Sequence, residues 1–222
     1  MILTEIQIKD RISQLGDFYH NISLPFGIQS RPGYSPARGD NFQLLLEALP
    51  ESMEGFTVLD LGCNAGVFSI EAKKLGASRV VGVDYSEQYI RQANFCAEVL
   101  ELDIEYIQSD VGTYLQDILR KDQRFDFVFF VGTLYHLTDP IAVPKAIGRI
   151  CNQSCLVETV GVLPELRKLD YNLLQLPRPQ ITHSGTVWMN MAALHHIFLD
   201  LSGFTSAKEL FNGSRISALY TK

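Results

Sequence analysis

The chain of 222 residues has little cysteine, methionine or tryptophan: four, four and one of each. The cysteines, Cys63, Cys96, Cys151 and Cys155, match no zinc-ligand spacing and predict reduced, buried thiols in a cytosolic protein. No long apolar run is present. The richest, Phe125 to Val131, has Asp126 inside it and is strand length, so no membrane span is expected. The first fifteen residues mix Glu5, Lys9, Asp10 and Arg11 into an amphipathic pattern, which argues against a signal peptide. Positive charge is also short: 19 Lys and Arg face 25 Asp and Glu, a net charge of −6. That gives no global attraction to nucleic acid. Internal repeats and low-complexity segments are absent. What remains is an ordinary globular composition with 46% apolar residues, enough for a substantial core.

Ile6, Ile8, Ile12 and Leu15 fall near helical spacing after Thr4, a fitting N-cap, and Gly16 ends the pattern. Prolines and glycines from Pro25 to Gly39 predict a lid-like loop over 18–39, and a helix follows from Asp40 to Leu49. Strands are expected near 56–61, 79–83, 104–108, 125–131 and 153–159, with helices at 66–75, 86–101, 112–120 and 140–150 between them. Such alternation implies an α/β fold with parallel strands and right-handed crossovers. The rhythm breaks over 160–188, which reads as an insertion. A helix at about 189–202 precedes two strands, 204–211 and 214–221, joined by Asn212-Gly213, a strong hairpin signal. Residues 1–50 are thus expected to pack on a core domain formed by 51–222.

The stretch Val58-Leu59-Asp60-Leu61-Gly62-Cys63-Asn64-Ala65-Gly66 carries the most information. It reads as a buried strand entering a turn that only small or left-handed-tolerant residues can make. A helix and a second strand ending at Asp84 follow. This is how an α/β sheet holds an adenosine-containing cofactor. Asp60 could meet a cofactor amine directly or through water, Asp84 could take both ribose hydroxyls, and Tyr85 could stack on adenine. A third acid, Asp110, follows the third strand and could receive the adenine amino group, with the Val111 N–H reading the ring edge. The glycines do not follow the G-x-G-x-x-G spacing of dinucleotide sites. A phosphate-free cofactor with a cationic amino-acid end suits three acids at successive strand tips better, and S-adenosylmethionine is that cofactor.

These residues resemble the class I S-adenosylmethionine-dependent methyltransferases. The resemblance is carried by VLDLGCNAG (58–66), VVGVDYS (80–86), the Gln108-Ser109-Asp110 tip and FDFVFFVGTLYHLTDP (125–140). It implies a Rossmann-like, mostly parallel seven-stranded sheet of order 3-2-1-4-5-7-6, with strand 7 antiparallel and helices on both faces. Within that family, Gly16-Asp17-Phe18-Tyr19-His20-Asn21-Ile22, GTLYH (132–136) and Val157-Glu158-Thr159 look like the branch of the tRNA wobble-uridine carboxymethyltransferases, without their N-terminal extension. The resemblance implies that members using carboxy-S-adenosylmethionine hold the extra carboxylate with a Lys, a Tyr and an Arg. Tyr135 and Arg215 match two of these. No lysine occurs between Asp10 and Lys73, and His20 stands at the matching position.

Methyl transfer needs an in-line nucleophile and exclusion of water, and a base only where the acceptor must lose a proton. Tyr135 and His136, after the fourth strand, are the candidate catalytic pair: Tyr135 orients the acceptor or packs on the cofactor, and His136 acts as a base or caps a turn. Candidate substrate contacts are Tyr19, His20, Arg31, Arg38, Glu158 and Arg215. His183, His195 and His196 have no carboxylate at ligand spacing, so no metal is expected. The expectation is a cytoplasmic methyltransferase acting on an O or N atom of a small molecule, with S-adenosylhomocysteine as the product. A tRNA wobble-uridine modifier, with a basic patch of Arg31, Arg38, Arg167, Lys168 and Arg178, is the alternative. A non-catalytic scaffold of the same fold is a further one.

Overall fold

A computed structural model describes residues 3–32, 42–137, 139–161 and 189–222. The elements run α1 (Glu5–Gln14), α2 (Phe42–Glu47), β1 (Thr57–Leu61), α3 (Val67–Lys74), β2 (Arg79–Asp84), α4 (Glu87–Val99), β3 (Glu105–Gln108), α5 (Val111–Arg120), β4 (Phe125–Val131), α6 (Ala142–Ile150), β5 (Cys151–Val160), α7 (Met191–His195), β6 (Ser206–Asn212) and β7 (Arg215–Thr221). The strands form one seven-stranded sheet of order β3-β2-β1-β4-β5-β7-β6. β1, β2 and β3 pair in parallel, as do β4 and β5, while β7 runs antiparallel to both β5 and β6. This is the order and strand direction expected. By contact the chain divides into two compact units, Met1–Ser35 with Glu51–Val111 and Pro36–Pro50 with Gly112–Lys222.

In the first unit, Val58, Leu59, Leu61, Val81 and Val83 are all fully buried, as strands covered on both faces require. α1 begins with a Thr4–Gln7 capping box, which satisfies two orphan helix donors at once. It ends at Gly16, whose φ of 75° is open to glycine at little cost. Beyond it the chain is tied down by Gln92 of α4, a side chain with no exposure. The Gln92 amide donates to the carbonyls of Leu15 and Asp17, at 3.1 and 3.0 Å. The following segment folds back on itself: Ser23 bridges Gln29, the Ile22 N–H donates to Ser30 Oγ at 2.8 Å, and Phe18, Ile22, Leu24 and Ile28 are buried. Side chains and backbone bonds therefore brace the loop-rich stretch up to Pro32.

In the second unit, Phe125, Val128, Phe129 and Phe130 of β4 are fully buried, and so are Cys155, Leu156 and Val157 of β5. Asp139 opens α6 by accepting from the N–H groups of Ile141 and Ala142, both at 2.9 Å. The sequence predicts one helix at about 189–202, but α7 gives way at His196 to a π-helical turn, His196–Asp200. Tertiary contacts hold that wider turn. Phe198 stacks on Tyr220 at 4.6 Å, and Ser202 Oγ donates to the Ile197 carbonyl at 2.7 Å. His195 reaches the Tyr220 hydroxyl and Glu209, while His196 turns to Asp200. No helix among the described residues is long and apolar enough to cross a membrane. The expected insertion from 162 onward, with Arg167, Lys168, Arg178 and His183, lies outside the described residues, as does Arg38.

Candidate functional site

The turn after β1 is made by three residues in the left-handed region: Gly62 (φ 79°), Asn64 (φ 52°) and Gly66 (φ 85°). Asn is among the few side chains that tolerate this conformation, and its Oδ1 accepts from the Ala65 N–H at 2.7 Å. The turn is stitched to the tip of β2. Gly62 and Cys63 donate to the Val83 carbonyl, and Asp84 Oδ2 accepts from the Asn64 N–H at 2.9 Å. Asp84 Oδ1 accepts from the Ser86 N–H at 2.9 Å. Each oxygen of this buried carboxylate retains acceptor capacity for a further donor such as a ribose hydroxyl. Tyr85, beside it, is 76% exposed, a ring free to serve as a stacking platform. The tip of β3 is tied in by the Ser109 N–H, which donates to the Asp84 carbonyl at 2.9 Å. Asp110 is exposed there, and Val111 opens α5.

Asp60 lies beneath the turn, 2% exposed. Its Oδ2 accepts from both the N–H and the hydroxyl of Ser69, at 3.1 and 2.6 Å, so it braces the first turn of α3. Burial pushes its carboxyl up to about 7, against the pull of the Ser69 bonds and with a smaller push from Asp84. A carboxylate so placed is costly to ionise until a cation approaches. Cys63 is pushed up as well, by burial first and then by Asp60 and Asp84, so its thiol stays protonated.

The floor of the turn comes from β3. A Cβ on Gly82 would stand 2.6 Å from the Tyr106 ring, and one on Gly66 2.2 Å from the Tyr106 hydroxyl. Gly66 is thus needed for this packing as well as for its φ. The chemistry of these residues fits an adenosine-containing cofactor: Asp84 has acceptor capacity left of the kind a ribose needs, and Tyr85 an exposed ring of the kind a base stacks on.

In the N-terminal segment, Tyr19 is 56% exposed and meets the His20 ring edge-on at 4.8 Å. Arg31 Nη1 donates to the Tyr19 carbonyl at 2.5 Å, which braces the loop.

The second unit carries its own cluster. Glu158 of β5 is 2% exposed and meets Arg215 of β7 in a two-pronged ion pair, Nε to Oε1 and Nη2 to Oε2, the latter at 2.6 Å. The Gly132 N–H donates to Glu158 Oε2 at 3.1 Å. The Arg215 guanidinium lies over the Tyr135 ring at 4.9 Å, and Tyr135 packs on His136 at 4.1 Å. Four of the candidate residues, Tyr135, His136, Glu158 and Arg215, thus meet in one place. Partial burial, followed by the Arg215 charge, lowers the His136 pKa below the ordinary histidine value, which keeps the ring neutral and able to accept a proton near neutrality. Arg215 is raised by its pairing with Glu158 despite burial, so it remains charged.

Sequence reasoning passed over Ser69, Tyr106 and Gly82. Gly82 had a readable signal, since a glycine inside a strand marks a close approach. Ser69 and Tyr106 had none, because their partners lie nine and twenty-four or more residues away.

A family model described as "Methyltransferase domain" matches residues 52–198, more than half of the chain. A tRNA U34 carboxymethyltransferase from Campylobacter lari is 27% identical over 113 residues, 51% of this chain and 38% of that protein. A ubiquinone biosynthesis O-methyltransferase from Coxiella burnetii is 41% identical over 90 residues, 40% of this chain and 36% of that protein. The matched regions therefore span well under half the length of these curated relatives. Among solved structures, the N-terminal domain of EvdMO1 in the presence of SAH and D-fucose superposes with a TM-score of 0.68 at 20% identity, covering 99% of this chain and 97% of that one. At that identity the likeness shows the fold. With the strand order, the glycine turn and the acid at the tip of β2, the family match leads to one conclusion: the chain belongs to the methyltransferase domain family.

Proposed function

We propose that the chain transfers a methyl group from S-adenosylmethionine to an O or N atom of a small-molecule acceptor, releasing S-adenosylhomocysteine. S-adenosylmethionine supplies an electrophilic methyl group when bound. Asp84 would hold the ribose, Tyr85 and the Asp110–Val111 corner the adenine, and Asp60 would keep the turn in shape through Ser69 while facing the cationic end of the cofactor. Tyr135 would orient the acceptor and His136 take its proton. One observation favours plain methyl transfer to a small acceptor: Arg215 is committed to Glu158. A paired guanidinium offers no net charge to an extra cofactor carboxylate or to a nucleic-acid phosphate. The neighbour studied with SAH and D-fucose is compatible with an acceptor of that size.

A second reading, a tRNA wobble-uridine modifier, is favoured by the named tRNA relative. Methyl transfer from labelled S-adenosylmethionine separates the two when a panel of small hydroxyl and amine acceptors is run beside total tRNA. The expected result is label in a small acceptor and none in tRNA. Label in tRNA, with binding that weakens steeply as salt rises, would replace the first reading with the second.

A further inference from the structure

The turn at Gly132, entirely within the second unit, brings three polar side chains together. Gly132 has φ 69°. A Cβ built on it would lie 3.9 Å from Arg215 Nη2, 3.9 Å from the Tyr135 hydroxyl oxygen and 4.0 Å from Glu158 Oε2, the nearest atoms among the described residues. Three polar atoms therefore gather around the position that a side chain would take there. The groups are fixed. Glu158 is held by Arg215 and by the Gly132 N–H, and its side chain is only 3% exposed. Arg215 is clamped between that carboxylate and the face of Tyr135.

The hydrogen-bonding character of this ring is mixed. Arg215 Nη2 donates, Glu158 Oε2 accepts, and the Tyr135 hydroxyl does either. The net charge of the pair is zero, and His136 beside it is held in its neutral form. An anion entering here gains Arg215 but meets the Glu158 carboxylate at the same range. A cation has the reverse difficulty. An uncharged hydroxyl donates to Glu158 and accepts from Arg215 or Tyr135 with no charge left uncompensated.

Resting on the methyltransferase reading above, we infer that the Gly132 cluster receives an uncharged hydroxyl of the methyl acceptor and discriminates against a carboxylate or phosphate in that position. Tyr135 then serves the acceptor rather than the cofactor, and Glu158 sets specificity by neutralising Arg215.

The test uses the full chain saturated with S-adenosylhomocysteine and two matched probe pairs, D-galactose with D-galacturonate and catechol with salicylate, titrated calorimetrically. The neutral member of each pair should bind about tenfold tighter, a difference of about 1.4 kcal/mol. Glu158→Gln leaves Arg215 uncompensated and should reverse the preference towards the acids. Should that variant fail to fold, the double variant Glu158→Gln with Arg215→Gln removes both charges and should keep the neutral preference. Tighter binding of the acids to the wild type, an unchanged preference in Glu158→Gln, or binding of neither member of either pair overturns the inference. Failure of the cofactor reading is seen separately, as absence of S-adenosylhomocysteine binding before any probe is added, and the inference falls with it.

Discussion

Asp60 is a carboxyl sealed under a turn, bonded to one serine and raised to about 7 from an ordinary 3.8. A folded-state value above the unfolded one means that ionisation favours unfolding. The stability tied to this group is therefore full below about pH 4 and fades as the pH rises through about 7. Asp60→Asn keeps an acceptor for Ser69 and removes the charge. It should match the wild type near pH 4 and exceed it near pH 8 by as much as about 4 kcal/mol, read from urea midpoints. Equal midpoints at both pH values would show that Asp60 ionises without penalty. His136 gives a second residue-scale expectation. As a base with a lowered pKa, it should yield an acid limb in kcat/KM below the ordinary histidine range, and His136→Ala should cut the rate by about a hundredfold or more. A limb at the ordinary value, unmoved by His136→Ala, would remove it from the chemistry. The left-handed Asn64, and the places of Asp84 and Tyr85 at the end of β2, were legible because they follow from local conformation and strand ends. The Asp60–Ser69 bond and the Glu158–Arg215 pair were not. They are made from strand to helix across nine residues and across 57 residues, where only the folded register decides.

At the scale of elements, the βαβ unit is organised around a contact that Gly82 marks in the sequence but whose partner it does not name. Tyr106 of β3 crosses Gly82 of β2 to reach Gly66. Gly82→Ala is expected to cost about 1–3 kcal/mol by overpacking, and Tyr106→Leu in the same chain should recover much of that. Thermal unfolding of the four members of the double-mutant cycle measures the coupling. Additive effects would mean that the ring does not press on Gly82. Strand positions were legible because fully buried parallel strands are runs of Val and Phe, and the hairpin because Asn-Gly announces it. The π-helical turn at His196–Asp200 was not. A helical pattern does not tell a π turn from an α turn when Phe198, Ser202 and Tyr220 impose the difference from elsewhere.

At the scale of the molecule, parallel strands and a closing antiparallel hairpin follow from the alternation of elements and from Asn212-Gly213, whereas the sheet order came from the family resemblance, and the structure has both. The acceptor was not legible, because it depends on which polar groups the fold gathers after β4 and β5 rather than on any run of sequence. Cofactor binding by the glycine turn and Asp84 is a proposal that calorimetric titration of the full chain with S-adenosylhomocysteine decides. The expected result is one site per chain, weakened at least about tenfold by Asp84→Ala, as loss of charge-assisted hydrogen bonds to a ribose requires. Absence of binding by a folded wild type, or equal binding by folded Asp84→Ala, would contradict it.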